Sequence, residues 1–351
     1  MPFVLPFPLD LVYRRSSYRF FFIRNVNFLL ELSQTFELTV NLDKSAPSTF
    51  LRVDKAPPVA VFKLKSDCEV DTNPKKVNLG VGAFRTEEGK PWVLPVVTEV
   101  ERKIAIDTSL NKEYLPIAGL KSFREQVMKF ALGETHPVLL ENRAVGVQAI
   151  SGTGALRLGA DFLRKYHANF EKTPVFVSSP TWPNHVGIFK TAGFADIRTY
   201  RYWNAEDKNL DFDNMIKDFE NAPLRSIIIF HCCAHNPTGC DPTRDQWLKI
   251  AKVLAEKQAF PIFDTAYQGF ASGDPDADAW PLRLFAAAGF EMFVVSSFSK
   301  NFGLYSAFIN KLCSADFNLV ILGVIRPIVR ILISEEFLTE SYSEKVQKRP
   351  K

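Results

Sequence analysis

The chain has 351 residues, 46% apolar and 23% charged, an ordinary balance for a globular protein with room for one large domain or two. A net charge of +4 is small for this length, and no basic cluster with interleaved aromatics runs far enough to suggest a nucleic-acid partner. Five irregularly spaced cysteines exclude a disulfide framework and point to a reducing compartment. Cys232-Cys233-Ala234-His235 has no second pair at ligand spacing, so packing thiols at a strand end are expected there, and no metal site.

Residues 1–58 read as an unstructured extension. Its opening, Met1 to Leu30, is rich in Phe, Arg and Pro, and Arg14, Arg15, Arg19 and Arg24 break any run long enough to span a bilayer. Pro2, Pro6 and Pro8 spoil the amphipathic helix that a mitochondrial presequence requires, so a cytoplasmic location ranks above a mitochondrial one. Residues 77–85, Val-Asn-Leu-Gly-Val-Gly-Ala-Phe-Arg, form a short extended segment whose glycines, Gly82 among them, would let backbone approach a ligand or simply turn at a sheet edge. Helices are expected over 94–106, opening at Pro95, and over 120–132.

Strand then alternates with helix. Strands are expected at Val145–Ile150, Pro174–Ser178, Ser226–His231, Ala259–Phe263 and Met292–Val295, with a helix over Leu156–Tyr166 after the first. This rhythm predicts an α/β fold, a mainly parallel sheet covered by helices on both faces. Residues 306–351 break the pattern. Phe317 to Ile333 is strongly apolar, but Arg326, Pro327 and Arg330 interrupt it, against a membrane span.

Ligands in open α/β sheets sit at the carboxyl ends of the strands, and all five expected strands end in polar or glycine-rich residues. Ser151-Gly152-Thr153-Gly154 before a helix offers free N–H groups and hydroxyls to a phosphate, or an ordinary helix cap. Trp182 could stack on a planar ring or pack half-buried, and Asn236 could donate to a ring oxygen or serve only as a turn residue. Asp264 directly follows an apolar strand, where an unpaired carboxylate is costly and a protonated pyridine nitrogen would satisfy it. Tyr267 could reach the phenolic oxygen of the same ring. Lys300 lies past the fifth strand among Ser296, Ser297 and Ser299; such a lysine is either a surface residue of a loop or an amine ready to bond an aldehyde cofactor. Together these are the parts of a pyridoxal phosphate site.

The motifs also carry a resemblance. Residues 77–85, Glu113-Tyr114-Leu115-Pro116, Gly152 to Arg157, Ser179-Pro180-Thr181-Trp182, His235-Asn236-Pro237-Thr238-Gly239, Asp264 to Gly269 and Ser297 to Tyr305 resemble, in order, the aspartate aminotransferases, above all their cytosolic animal form. The resemblance spans about Ala56 to Tyr305. It implies the fold-type I architecture of pyridoxal-phosphate-dependent transferases and exchange of an amino group between L-aspartate and 2-oxoglutarate, giving oxaloacetate and L-glutamate. By resemblance, Lys300 is both the Schiff-base lysine and the proton shuttle, Asp264 pairs with the pyridine nitrogen, Tyr267 and Asn236 contact the ring oxygen, and Trp182 stacks on the ring. Gly152, Thr153, Ser297 and Ser299 resemble phosphate ligands, and Tyr114 would reach the phosphate in the other subunit of a homodimer. Gly82, with Trp182 and Asn236, matches positions near the substrate, and His185 a position behind the ring.

After Leu304-Tyr305 the family continues Asn-Glu-Arg-Val-Gly, whereas this chain reads Ser306-Ala307-Phe308-Ile309-Asn310. The family's phosphate-binding and substrate-binding arginines therefore have no counterpart in its motifs, and Arg326 and Arg330 lack the family context. The expected organisation is an extension at 1–58, an N-terminal arm and start of a small domain at 59–91, a cofactor-binding large domain at 92–305 and a non-matching tail at 306–351, with most of the small domain missing. The alternative is a truncated, catalytically impaired aminotransferase that acts at most as a cofactor-binding or dimerisation partner.

Overall fold

The structure, a computed structural model, describes residues 48, 51, 60–78, 85–110, 113–167, 170–304 and 320–324. The chain divides into two units, 1–60 and 61–351, and the second carries the sheet and the helices that cover it. The expectations for the extension at 1–58 (Ser48 and Leu51 apart), for Gly82, for Arg326 and Arg330, and for most of the tail lie outside the described residues.

The helix α1 spans Ala60–Val70, α2 Pro95–Ile106, α3 Lys121–Leu132 and the single turn α4 Pro137–Leu140. Then come β1 (Ala144–Gln148), α5 (Ser151–Tyr166), β2 (Val175–Ser179), α6 (Asn184–Ala192) and β3 (Ile197–Arg201). A small hairpin, β4 (Trp203–Asn204) and β5 (Asn209–Leu210), precedes α7 (Phe212–Glu220), β6 (Ile227–His231), α8 (Arg244–Glu256) and β7 (Phe260–Thr265). The described chain closes with α9 (Pro275–Asp278), α10 (Trp280–Ala287), β8 (Met292–Ser296), α11 (Phe298–Asn301) and β9 (Val320–Val324).

Seven strands form one sheet in the order β1-β9-β8-β7-β6-β2-β3. From β8 to β3 all neighbours are parallel, and β9 runs antiparallel to both β1 and β8. The twofold period of a strand explains why both faces are covered. Phe176, Ile228, Phe230, Phe263, Met292 and Val294 pack with residues of α3, α7, α8 and α10, while Val175, Val177, Ile227, Ile229, Ile262, Phe293 and Val295 pack with α5 and α6. Helix limits follow from local chemistry. Thr243 and Gln246 form a reciprocal capping box at the start of α8, and α3 ends at Gly133, whose φ of +89° is open to glycine and strained for other residues.

Two expectations change. The helix after β1 opens at Ser151, not Leu156, so Gly152 and Thr153 lie in its first turn, where N–H groups have no partner inside the helix. Asp264 is the fifth residue of β7 and not the first after it, because the β6–β7 ladder continues to the His231–Asp264 pair. Within the tail, Val-Ile-Leu-Gly-Val at 320–324 has the length and apolar continuity of a strand, and as β9 it occupies an interior place in the sheet. No helix among the described residues is long and apolar enough to cross a membrane.

Candidate active site

The C-terminal ends of β6, β7 and β8, the first turn of α5 and the loop before α6 converge on an open pocket, about 440 Å³ with the solvent space at its mouth included. Gly152, Trp182, His231, Cys233, Asn236, Asp264, Ala266, Tyr267, Ser297 and Lys300 line it. The parallel strands bring these residues together from positions far apart in the chain, at or just beyond the C-terminal ends of the strands.

Asp264 is the electrostatic centre. Burial pushes its pKa up, but the His185 hydrogen bond and the favourable electrostatics of the His185, His231 and Lys300 side chains around it outweigh that and hold the carboxyl below its ordinary range. An ionised carboxylate only accepts, so His185 Nε2–H donates to Oδ2 at 3.0 Å, and Thr181 Oγ1 lies 2.8 Å from the opposite ring nitrogen. The His185 side chain has no exposure of its own.

His231 follows from the ladder that pairs it with Asp264. Its Nδ1 accepts the Asn236 N–H at 2.9 Å, which leaves the hydrogen on Nε2 in the neutral ring. Burial lowers its pKa to about 4, Asp264 opposing and His185 and Lys300 reinforcing the shift. The turn that carries Asn236 is held by Asp241, whose carboxylate accepts the N–H groups of Ala234 and His235 at 2.6 and 3.0 Å. His235 lies 2.8 Å from both Ser178 Oγ and Thr238 Oγ1 and stacks on Tyr202.

Lys300 sits in α11, half-buried, with Nζ 5.3 Å from the centroid of the Tyr267 ring. Burial, with the Asp264 charge second, raises the Tyr267 pKa, so the phenol keeps its proton and can donate. Ser297 caps α11, its Oγ accepting the Ser299 N–H at 3.4 Å. A Cβ placed on Gly152 would stand 3.7 Å from Ser297 Cβ and fill the gap between the α5 turn and α11.

The donor set fits the pyridoxal phosphate implied by the sequence resemblance. Asp264 offers a largely enclosed ionised carboxylate for a pyridinium nitrogen, Tyr267 and Asn236 offer donors for a ring oxygen, and Lys300 offers an amine. The gap at Gly152, flanked by first-turn N–H groups and the Ser297 hydroxyl, has the chemistry of a phosphate cradle. Of the residues named from sequence, Thr153 and Ser299 stand beside the pocket lining without belonging to it, and Tyr114 is 96% exposed. Gly82 lies outside the described residues. His231, Cys233 and Ala266 line the pocket although their sequence context does not single them out; the strand-end rule that marks Asn236 and Asp264 applies equally to His231. His185, His231 and Asp264 also bring three ligand atoms within 4.8 Å of one another, but both His185 nitrogens are already engaged by Thr181 and Asp264.

The chain is 57% identical over 263 residues to the cytoplasmic aspartate aminotransferase of Gallus gallus, covering 74% of this chain and 64% of that protein. It is 51% identical over 259 residues to the cytoplasmic enzyme of Caenorhabditis elegans, covering 74% and 63%. The chain thus spans somewhat less than two thirds of the length of these relatives. The solved structure of the aspartate aminotransferase from Saccharomyces cerevisiae cytoplasm superposes with a TM-score of 0.76 at 38% identity, over 86% of this chain and 72% of that one. An aromatic-amino-acid aminotransferase from Burkholderia pseudomallei, solved covalently bound to pyridoxal phosphate, gives 0.76 at 36% identity over 84% and 71%. The family model described as aminotransferase class I and II matches residues 74–338, a span that runs past Tyr305 and takes in β9. By that match and these identities, the chain belongs to the class I and II aminotransferases.

Proposed function

We propose that the chain binds pyridoxal phosphate at Lys300 and exchanges an amino group between L-aspartate and 2-oxoglutarate, giving oxaloacetate and L-glutamate. The observation that carries this reading is the pairing, in one pocket, of an amine on Lys300 with an Asp264 carboxylate held ionised by His185. The cofactor, when bound, supplies an electron sink for carbanion chemistry at an amino acid's α-carbon. Asp264 would hold the pyridine nitrogen protonated, with His185 fixing the carboxylate and Thr181 fixing His185. Lys300 would form the covalent link and then move the α-proton. Tyr267, kept protonated, and Asn236 would donate to the ring oxygen, and Trp182, edge-on to His185 at 5.3 Å, would cover the ring. Gly152, Thr153, Ser297 and Ser299 would receive the phosphate.

The same reading includes a homodimer in the cytoplasm. Tyr114 is 96% exposed beside Leu115 and Ile117, both about half exposed, which suits a residue whose partner site lies on another copy. The Gallus gallus and Caenorhabditis elegans relatives are named as cytoplasmic enzymes. The test is to add pyridoxal phosphate to the purified chain, reduce with borohydride and locate the label by mass spectrometry. Label on Lys300, lost in Lys300→Ala and followed by aspartate-dependent formation of glutamate, is the expected result. A folded chain that captures no cofactor would refute the reading.

A further inference from the structure

We infer that Asn301 is a positioning residue for Lys300, locking the lysine-bearing turn to the loop that carries Tyr267. Asn301 follows Lys300, Gln268 follows Tyr267, and Asn301 Nδ2 donates to the Gln268 backbone carbonyl at 2.7 Å. The Gln268 side chain continues the linkage, its Nε2 donating to the carbonyls of Phe130 at 2.9 Å and Pro275 at 3.1 Å. Phe130 also packs against Phe298, the first residue of α11, with centroids 6.0 Å apart. A closed ring results: Phe298 to Phe130 by packing, Phe130 to Gln268 and Gln268 to Asn301 by hydrogen bonds. Lys300 stands on the short turn between the two fixed ends, Phe298 and Asn301.

The ladder between β7 and β8 ends at the Thr265–Ser296 pair, so beyond it the two segments need another tie if the Lys300–Tyr267 distance is to be held. Stability alone does not account for the residues chosen. Asn301 and Gln268 are 9% and 2% exposed, and their side-chain oxygens, Oδ1 and Oε1, accept no hydrogen bond among the described residues. Apolar side chains of similar volume would spare both oxygens but strip the Gln268 carbonyl of its donor, so the amides are kept for the bonds they donate. Two buried amides that use only their donors, both on backbone carbonyls, serve placement.

The inference rests on the reading of Lys300 as the amine that bonds pyridoxal phosphate. Its test compares the wild-type chain, Asn301→Asp, Asn301→Ser and the distant cap variant Thr243→Ala, each loaded with pyridoxal phosphate. Three quantities are read: absorbance of lysine-bound cofactor, visible circular dichroism per bound cofactor, and melting temperature. Asn301→Asp sets a carboxylate against the Gln268 carbonyl, and Asn301→Ser is too short to reach it. The expected result is that absorbance persists in both while dichroism per cofactor falls at least twofold, and that Thr243→Ala lowers the melting temperature with dichroism per cofactor unchanged. Dichroism equal to wild type in the Asn301 variants, or a drop matched by Thr243→Ala, would overturn the inference. Failure of both Asn301 variants to fold would also overturn it, by assigning Asn301 to stability. A wild-type chain without lysine-bound cofactor would refute the functional reading itself, and this inference with it, before any variant is compared.

Discussion

The imidazole of His185 lies 3.0 Å from the Asp264 carboxylate, across 79 residues of sequence, and has no solvent exposure. A hydrogen bond from a buried imidazole favours the ionised carboxylate and fixes the oxygen left for a ligand.

Asp264→Asn removes the charge and keeps the shape. Losing one charge-assisted hydrogen bond costs about 1.5–3 kcal/mol, or roughly 10- to 150-fold. Affinity for pyridoxal phosphate should weaken by that factor, measured as the free concentration that half-saturates cofactor absorbance, while the melting temperature of the unloaded chain does not fall.

Acid should destabilise the fold well before ordinary carboxylates titrate. His231 binds a proton near pH 6.5 when unfolded and only near pH 4 when folded, burial being the chief cause. The unfolded state therefore holds more protons across that window, and stability declines as pH falls through it, by on the order of 3 kcal/mol at the lower end. His235, lowered to about 3 mainly by burial, acts with the same sign, and Asp264 adds a loss below its unfolded value as it is finally protonated. Urea titrations at pH 7, 5.5 and 4.5 should show the decline, with a shallower slope for His231→Gln.

Asp278 is 5% exposed and accepts the N–H groups of Gly269, Ala271 and Ser272 at 2.8, 3.0 and 3.1 Å, pinning the loop that follows Tyr267. Asp278→Ala strips these three N–H groups, and the Ser272 hydroxyl, of their acceptor and should cost about 2–4 kcal/mol. Hydrogen exchange over 269–272 should accelerate more than exchange in β6.

Leu322 pairs with Gly146 of β1 and Val294 of β8, in the middle of β9. Proline there removes a ladder donor inside the sheet, a loss of about 3 kcal/mol or more. Leu322→Pro should lower the yield of soluble chain sharply, where Leu322→Val should not.

The sheet and most of the pocket are legible in the sequence because strands buried on both faces leave apolar runs, and because their polar endings stand out against those runs. The strand endings before Asn236 and Lys300 need nothing beyond that contrast. Asp264 reads one structural step too late because a single acid ends an apolar run in sequence, while the ladder partner that extends the strand, His231, is invisible until β6 and β7 are side by side. His231 itself reads as no more than the last letter of a strand. The clasp between Asn301 and Gln268 has no sequence signal at all, since each is an ordinary amide beside a more conspicuous neighbour. β9 is hidden for another reason: the apolar run at 317–333 invites comparison with a membrane span, and a strand of five residues needs no such length.

An interior strand that comes last among those described also orders the events of synthesis. Until Val324 has been made, β1 and β8 each face an empty lane, with their inner edges exposed to any other chain in the same state. The pocket's lysine sits just after one of those edges, so the part of the molecule assigned to chemistry cannot be sealed locally and waits for a distant closure. Nascent chains should therefore be sticky from the completion of β1 until β9 is made, and chaperone dependence should fall once that lane is filled.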